Sequence, residues 1–341
     1  MSFGFDKQEN KTVKLDMKPN ELGFYSEKQI RAMKGVLSYS TLKSVVEDPI
    51  SLIQGREDLS SVRGVTLGSL IDKMVFGEPI DDIAVVESFK IPTAKKLEIA
   101  DQMVKDKLKG PEGFLNAARS LDIYKVNKDD VVMAKFDSDI RCYVNAKTMT
   151  AEGQRFISKD DYAIAQRGVE VLKSHRFTKK YFDQSQENID VHYQAGLKAK
   201  VGRNEIKGLF DMFIVNHEHK VIVPCDLKTT GGKAKDFKEA FRKYSYALQA
   251  EMYSLLAAQW QSENGLKDYK LLPFRYVVLS TRDVENPFVY SFDFNKYKEK
   301  VVKPYSVKTL KDYIVEYNHV VKNQEFVYPS EMCRNGIMEL Y

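Results

Sequence analysis

Three consecutive runs between Val191 and Thr230, VHYQAGLKAKV, IKGLFDMFIV and KVIVPCDLKTT, shift the apolar period of the chain from about 3.6 toward 2. A period of two belongs to strands, because successive side chains of an extended chain point to opposite faces. Only residues 216–219 separate the second run from the third, so 206–215 and 221–228 are predicted to form an antiparallel hairpin. Strand character returns at 276–280 and 288–294, across a turn at Asn286-Pro287.

Charges on two of these strands call for a reason. Asp211 follows Gly208 on the first arm of the hairpin, and Asp226 and Lys228 flank Leu227 on the second, among Phe, Met, Ile and Val. Alternation places Asp226 and Lys228 on one face and Leu227 on the other, and the hairpin can set Asp211 beside the charged pair. Two carboxylates on neighbouring buried strands repel and are costly to desolvate, unless a divalent cation sits between them or cationic side chains pair with them. Ligands that are all oxygen favour Mg²⁺ or Mn²⁺ over zinc. A lysine two residues away can position or help deprotonate a water, and can neutralise charge on a phosphoryl oxygen. The combination points to phosphodiester hydrolysis, whereas a DxK triplet alone would read as a strand-end ion pair.

Gly231-Gly232 breaks the chain before a long helix expected over 235–260. Along it Lys235, Lys238, Arg242, Tyr246, Gln249 and Tyr253 recur at helical spacing as one polar stripe, beside an apolar stripe of Phe237, Phe241, Tyr244, Leu248 and Leu255. The apolar stripe is expected on the sheet, and the polar one suits a phosphate backbone and its terminal bases. Upstream, Ser40 is placed to cap a helix that Pro49 interrupts, and 66–76 reads as a second helix with Asp72 on its less apolar side. The charged stretch 92–182 reads as helices over 94–107, 128–148 and 159–174, and a last helix is expected over 306–321. The chain thus divides into a lead-in (1–20), an N-terminal helical part (21–90), a helical insertion (91–185), a core (186–325) and a tail (326–341).

Composition narrows the class. With 43% apolar and 30% charged residues, and only 18 Gly and 10 Pro in 341, the chain is neither disordered nor collagen-like. Lys and Arg number 53 against 48 Asp and Glu, and the resulting +5 favours a polyanionic partner only mildly. Cys142, Cys225 and Cys333 are scattered without a CxxC pair, which argues against a disulfide framework or a thiolate metal centre and fits a reducing cytoplasm. Residues 1–18 carry no apolar run and no stretch reaches about 18 consecutive apolar residues, so neither export nor membrane spanning is expected. Gly231-Gly232-Lys233 lacks the spacing and the hydroxyl of a nucleotide phosphate loop. His217 and His219 are expected in a solvated turn, and Cys225 as a packed thiol.

Taken in order, Ser38-Tyr39-Ser40-Thr41-Leu42, Gly68-Ser69-Leu70-Ile71-Asp72, Gly208-Leu209-Phe210-Asp211, Asp226-Leu227-Lys228 and Gln249 to Tyr253 resemble the SxSxL segment, the following helix, and the GxxD, DxK and QxxxY motifs of the PD-(D/E)XK nucleases. The likeness is to the RecB-like branch, with its phage and prophage exonucleases of the RecE or exonuclease VIII type, and covers residues 36–325. It implies a restriction-endonuclease-like α/β fold, a mixed central sheet flanked by helices. It also implies two-metal hydrolysis with Mg²⁺ or Mn²⁺ at Asp211, Asp226, Leu227 and Asp72, with Lys228 on the attacking water and Gln249 and Tyr253 positioning the strand. Products would end in 5′-phosphate and 3′-hydroxyl. The activity implied is a cytoplasmic, Mg²⁺-dependent exonuclease that resects duplex DNA ends in phage-type recombination, in a bacterial host, with a single-strand annealing recombinase as partner and a homo-oligomer as its assembly. An endonuclease of restriction or defence type stays open, as does a DNA-binding module that no longer cuts, although intact Asp211, Asp226 and Lys228 argue against the latter.

The chain departs from the family in two places. Many members carry a metal-shell histidine in the early helix, but no histidine precedes His175 and Asp72 stands in that place, either as a third oxygen ligand or as a neighbouring hydrogen-bonding group. Asp48-Pro49 stands where some relatives begin a four-cysteine iron-sulfur cluster, so the cluster-free members are the better comparison.

Overall fold

The computed structural model describes residues 17–49, 52, 63–87, 90–151, 155–300 and 308–323. Most of the lead-in and the whole tail, with Cys333, lie outside the described residues. Along the chain, α1 (Glu27–Ala32), β1 (Leu37–Ser38) and α2 (Tyr39–Glu47) precede α3 (Arg63–Phe76) and β2 (Ile83–Val86). The middle holds α4 (Lys95–Lys105), α5 (Gly110–Ser120), α6 (Asp129–Met133), α7 (Ser138–Ala151), β3 (Arg155–Ser158) and α8 (Lys159–Ser174). Then come β4 (Ile189–Val201), β5 (Asn204–Asn216), β6 (Val221–Thr230), α9 (Phe237–Lys243), α10 (Tyr246–Glu263), β7 (Lys270–Leu271), β8 (Phe274–Ser280), β9 (Phe288–Phe292), α11 (Phe294–Lys300) and α12 (Leu310–Asn323).

The main sheet is mixed. β4 pairs antiparallel with β5 along its whole length, from Ile189↔Asn216 to Val201↔Asn204. On its other side β5 first takes β1 in parallel at Leu37↔Ile206, then β6 antiparallel from Met212↔Cys225 to Asn216↔Val221. The expected hairpin is therefore present. β6 continues parallel to β8 from Cys225↔Arg275 to Thr230↔Ser280, and β9 closes antiparallel on β8. Strand β9 stops at Phe292 because Asp293 Oδ1 accepts the backbone N–H groups of Asn295 and Lys296 and starts α11.

Both faces of this sheet are covered. On one, Phe210, Phe213 and Tyr276 pack with Leu248, Met252 and Leu256 of α10 and with Ile314 of α12. On the other, Met212, Leu227 and Leu279 pack with Leu70 and Ile71 of α3 and Leu172 of α8. The helices α4 to α7 enclose a separate apolar cluster centred on Met103, Phe114 and Ile140. A two-stranded parallel pair, β2 with β3, joins that region to the end of α3.

Strict alternation fails at one register pair. Phe210 and Phe213 are an odd number of residues apart, yet their rings meet edge to face at 5.3 Å on the α10 side. The switch falls at Asp211, and opposite it Gln194 is left out of an otherwise continuous β4–β5 ladder and holds a left-handed φ of 47°. A non-glycine residue there costs about 1–2 kcal/mol. It lets both strands exchange faces without losing register.

Three sequence expectations are corrected. The cap of α2 is Ser38, whose Oγ accepts the Thr41 N–H at 3.1 Å, and not Ser40, which lies inside the helix. The helix expected over 128–148 is two helices, because Asp137 Oδ1 accepts the Ile140 N–H at 3.0 Å and caps α7 afresh. The helix expected over 235–260 is broken: Ser245 takes a left-handed φ of 54° between α9 and α10. The polar stripe from Lys235 to Tyr253 is therefore not one face.

Candidate active site

β5 and β6 part company just beyond Met212↔Cys225, because β5 turns to β1 while β6 stays with β8. Asp211 and Asp226 are the first residues past that fork. Gly208 lets α10 lie close on β5 there: a Cβ at this position would come 2.7 Å from Tyr253 Cε1 and 2.8 Å from Leu256 Cδ1. Gly68 does the same for α3, since its Cβ would meet Thr229 Oγ1 at 2.7 Å. Asp72, one turn further along the same face of α3, is thereby carried toward Asp226 and Lys228.

Each charged group has a defined partner. Asp211 Oδ2 accepts the backbone N–H of Leu227 at 2.8 Å, and Gln194 Nε2 donates to Oδ1 at 3.4 Å. Asp226 Oδ1 accepts from Gln249 Nε2 at 2.7 Å, and Oδ2 is in ion-pair contact with Lys228 Nζ. Beyond that contact, Asp226 Oδ2 has no aligned hydrogen bond, and the buried Oε1 of Gln249 has none either. Lys228 Nζ also lies over the Tyr246 ring, 5.1 Å from its centroid. Leu227 packs its side chain into the opposite core and gives its N–H to Asp211, which leaves its carbonyl oxygen as the atom able to reach a metal.

The electrostatics follow from this crowding. Burial, reinforced by the carboxylates of Asp226 and Asp72, pushes Asp211 well above the usual carboxylate range. Asp72 is pushed up to about 7 by burial, with Lys228 opposing and Asp226 adding to the rise. Burial works against the charge on Lys228, but Asp226, Tyr246 and Asp211 outweigh it and raise its pKa. Its neighbours thus favour the ammonium form of Lys228. In that form it can orient a water and offset negative charge.

Other predicted residues fall elsewhere. Gln249 is 3% exposed and Tyr253 7%, so neither presents itself to a strand running over the surface. The Tyr253 hydroxyl accepts the Leu209 N–H at 3.3 Å and so braces β5. Tyr246 is half-buried against Phe237 and Tyr276. Lys235, Lys238 and Arg242 are exposed on the segment before the break. Among the described residues no three His, Cys, Asp or Glu side chains are already gathered as a ready ligand set, and Asp72 reaches Asp211 and Asp226 through their shared electrostatics. His217 is held between Tyr269 and Asp190, at 2.8 and 2.9 Å, and the buried Cys225 thiol is pushed up by desolvation, away from reactivity. Gln194 escaped the sequence reading; its only signal is a polar residue opposite Asp211 once the β4–β5 register is known.

No family model and no curated protein matches the chain. Among solved structures, the crystal structure of a "Putative exonuclease" from Eubacterium rectale aligns with 91% of this chain and 85% of that chain, at 14% identity and a TM-score of 0.42. No helix among the described residues is long and apolar enough to cross a membrane.

Proposed function

We propose that this chain is a metal-dependent deoxyribonuclease that hydrolyses phosphodiester bonds from the ends of duplex DNA. The observation that carries the reading is the buried Gln249 Oε1, an acceptor without a donor, beside the Asp211 and Asp226 carboxylates that a strand fork gathers with the Lys228 ammonium. An acceptor buried in that way costs about 1–3 kcal/mol, a cost that a bound cation or its water would offset. The donor set is all oxygen and suits Mg²⁺ or Mn²⁺. Asp211, Asp226 and the Leu227 carbonyl would hold the ion, with Asp72 joining from α3.

When bound, such an ion supplies Lewis acidity at the scissile phosphate and a more acidic water. Lys228 orients the attacking water and offsets charge on the phosphoryl oxygens. Gln249 fixes the Asp226 carboxylate through Nε2 and offers Oε1 to the water as an acceptor. Lys235, Lys238 and Arg242 would meet phosphates on the exposed segment before the helix break rather than in line with Gln249. End resection of this kind would serve phage-type recombination, passing single strands to an annealing recombinase, with a homo-oligomer as its working form.

The test is incubation with end-labelled linear duplex and with closed-circular duplex, each with and without Mg²⁺. Label should be released from linear DNA in Mg²⁺ alone, and circles should survive. Cutting of circles at a comparable rate would move the reading to an endonuclease on the same scaffold.

A further inference from the structure

Tyr244 belongs to the apolar stripe by sequence spacing, but it is 38% exposed, at the break between α9 and α10. Lys43 and Lys243 bring their ammonium groups to 5.1 and 5.2 Å from its ring centroid, with Lys43 also paired to Glu47 at 3.0 Å. The break is fastened from below, since the Tyr39 hydroxyl donates to the Tyr244 carbonyl. Inward, the Tyr244 ring lies 5.9 Å from that of Tyr246, and Tyr246 lies under Lys228. An exposed ring flanked by two cations thus stands one aromatic residue outside the proposed reacting centre.

Resting on the nuclease reading, we propose that Tyr244, with Lys43 and Lys243, is a stacking platform for a base of the DNA strand entering the site. A nucleobase has a flat π-face whatever its identity, so stacking holds a strand without reading its sequence. The two lysines, drawn to the ring in its exposed setting, are placed to neutralise the phosphates on either side of that base. The strand would have to be unpaired at this point, which matches a frayed duplex end and not a continuous helix. Loss of one base–aromatic stack corresponds to roughly a tenfold weakening.

The experiment uses the full chain and linear duplexes whose terminal base is 2-aminopurine or is missing. In EDTA, wild-type protein should quench the terminal 2-aminopurine and Tyr244→Ala should not. In Mg²⁺, Tyr244→Ala should raise KM about tenfold for ends that carry a base, Tyr244→Trp should restore it, and the abasic end should be cut with the same KM by all three. Exchanging Lys43 and Lys243 together for Gln should flatten the salt dependence of binding while quenching persists. Wild-type cleavage with equal quenching, or equal KM, in Tyr244→Ala would overturn the platform and leave the nuclease reading standing. A wild-type protein that neither binds nor cuts DNA would overturn both.

Discussion

Asp211 stands in for a missing strand: its Oδ2 accepts the Leu227 N–H at 2.8 Å where β5 and β6 have ceased to pair. The carboxylate is therefore aimed by the sheet itself. Asp211→Asn keeps an acceptor for Leu227 but removes a charge that burial, Asp226 and Asp72 all disfavour. In EDTA this variant should melt at or above the wild-type temperature, and Mg²⁺, which should raise the wild-type midpoint, should no longer do so. A thermal-shift titration checks both; an undiminished Mg²⁺ response in the variant would count against Asp211 as a ligand.

Gly208→Ala should destabilise the protein by about 1–3 kcal/mol, the usual cost of overpacking. The new methyl meets two side chains of α10 at once, 2.7 Å from Tyr253 and 2.8 Å from Leu256. Denaturant melts would show it as a lower midpoint at an unchanged slope. A variant as stable as wild type would mean that α10 does not rest on β5 at this point.

Gln194→Gly separates strain from function. The left-handed φ of 47° is relieved by glycine, which should hold or raise the melting temperature. The same change removes the amide that donates to Asp211 Oδ1 and should weaken Mg²⁺ binding by about 10- to 100-fold, as the loss of a ligand's supporting group does. Calorimetric or thermal-shift titration with Mg²⁺ reads the second effect. A fall in stability with unchanged Mg²⁺ affinity would contradict the assignment.

Glu251 gives a pH signature away from the site. It accepts the Leu310 N–H at 2.7 Å, and burial raises its pKa from 4.5 to about 7. The folded state therefore holds this proton more tightly than the unfolded state, so the contribution is present below pH 4.5 and is lost as pH rises through about 7. Glu251→Gln keeps the acceptor and cannot ionise. Its melting temperature should fall less than that of wild type between those pH values, and parallel curves would refute the shift.

Much of this architecture can be read in the sequence, because a strand hairpin announces itself by period and by a short turn. Asp211, Asp226, Lys228 and Gln249 do come together, Gln249 through a buried hydrogen bond at 2.7 Å. What sequence could not show depends on register and on breaks. Periodicity continues smoothly through Ser245, so a helix broken by one left-handed residue looks continuous, and Tyr244 is assigned to the core it avoids. Helix α10 is buried on most sides, between the sheet and its helical neighbours, so its polar residues were legible as a stripe without being a surface. The face exchange at Gln194 and Asp211 is likewise invisible to a rule that assumes perfect alternation.

The central claim is that Asp226 holds a hard cation for phosphodiester hydrolysis. Release of label from end-labelled linear duplex in Mg²⁺ should fall by on the order of a hundredfold or more in Asp226→Ala, while binding of the same duplex in EDTA stays close to wild type. Release at the wild-type rate by a folded Asp226→Ala protein would contradict it.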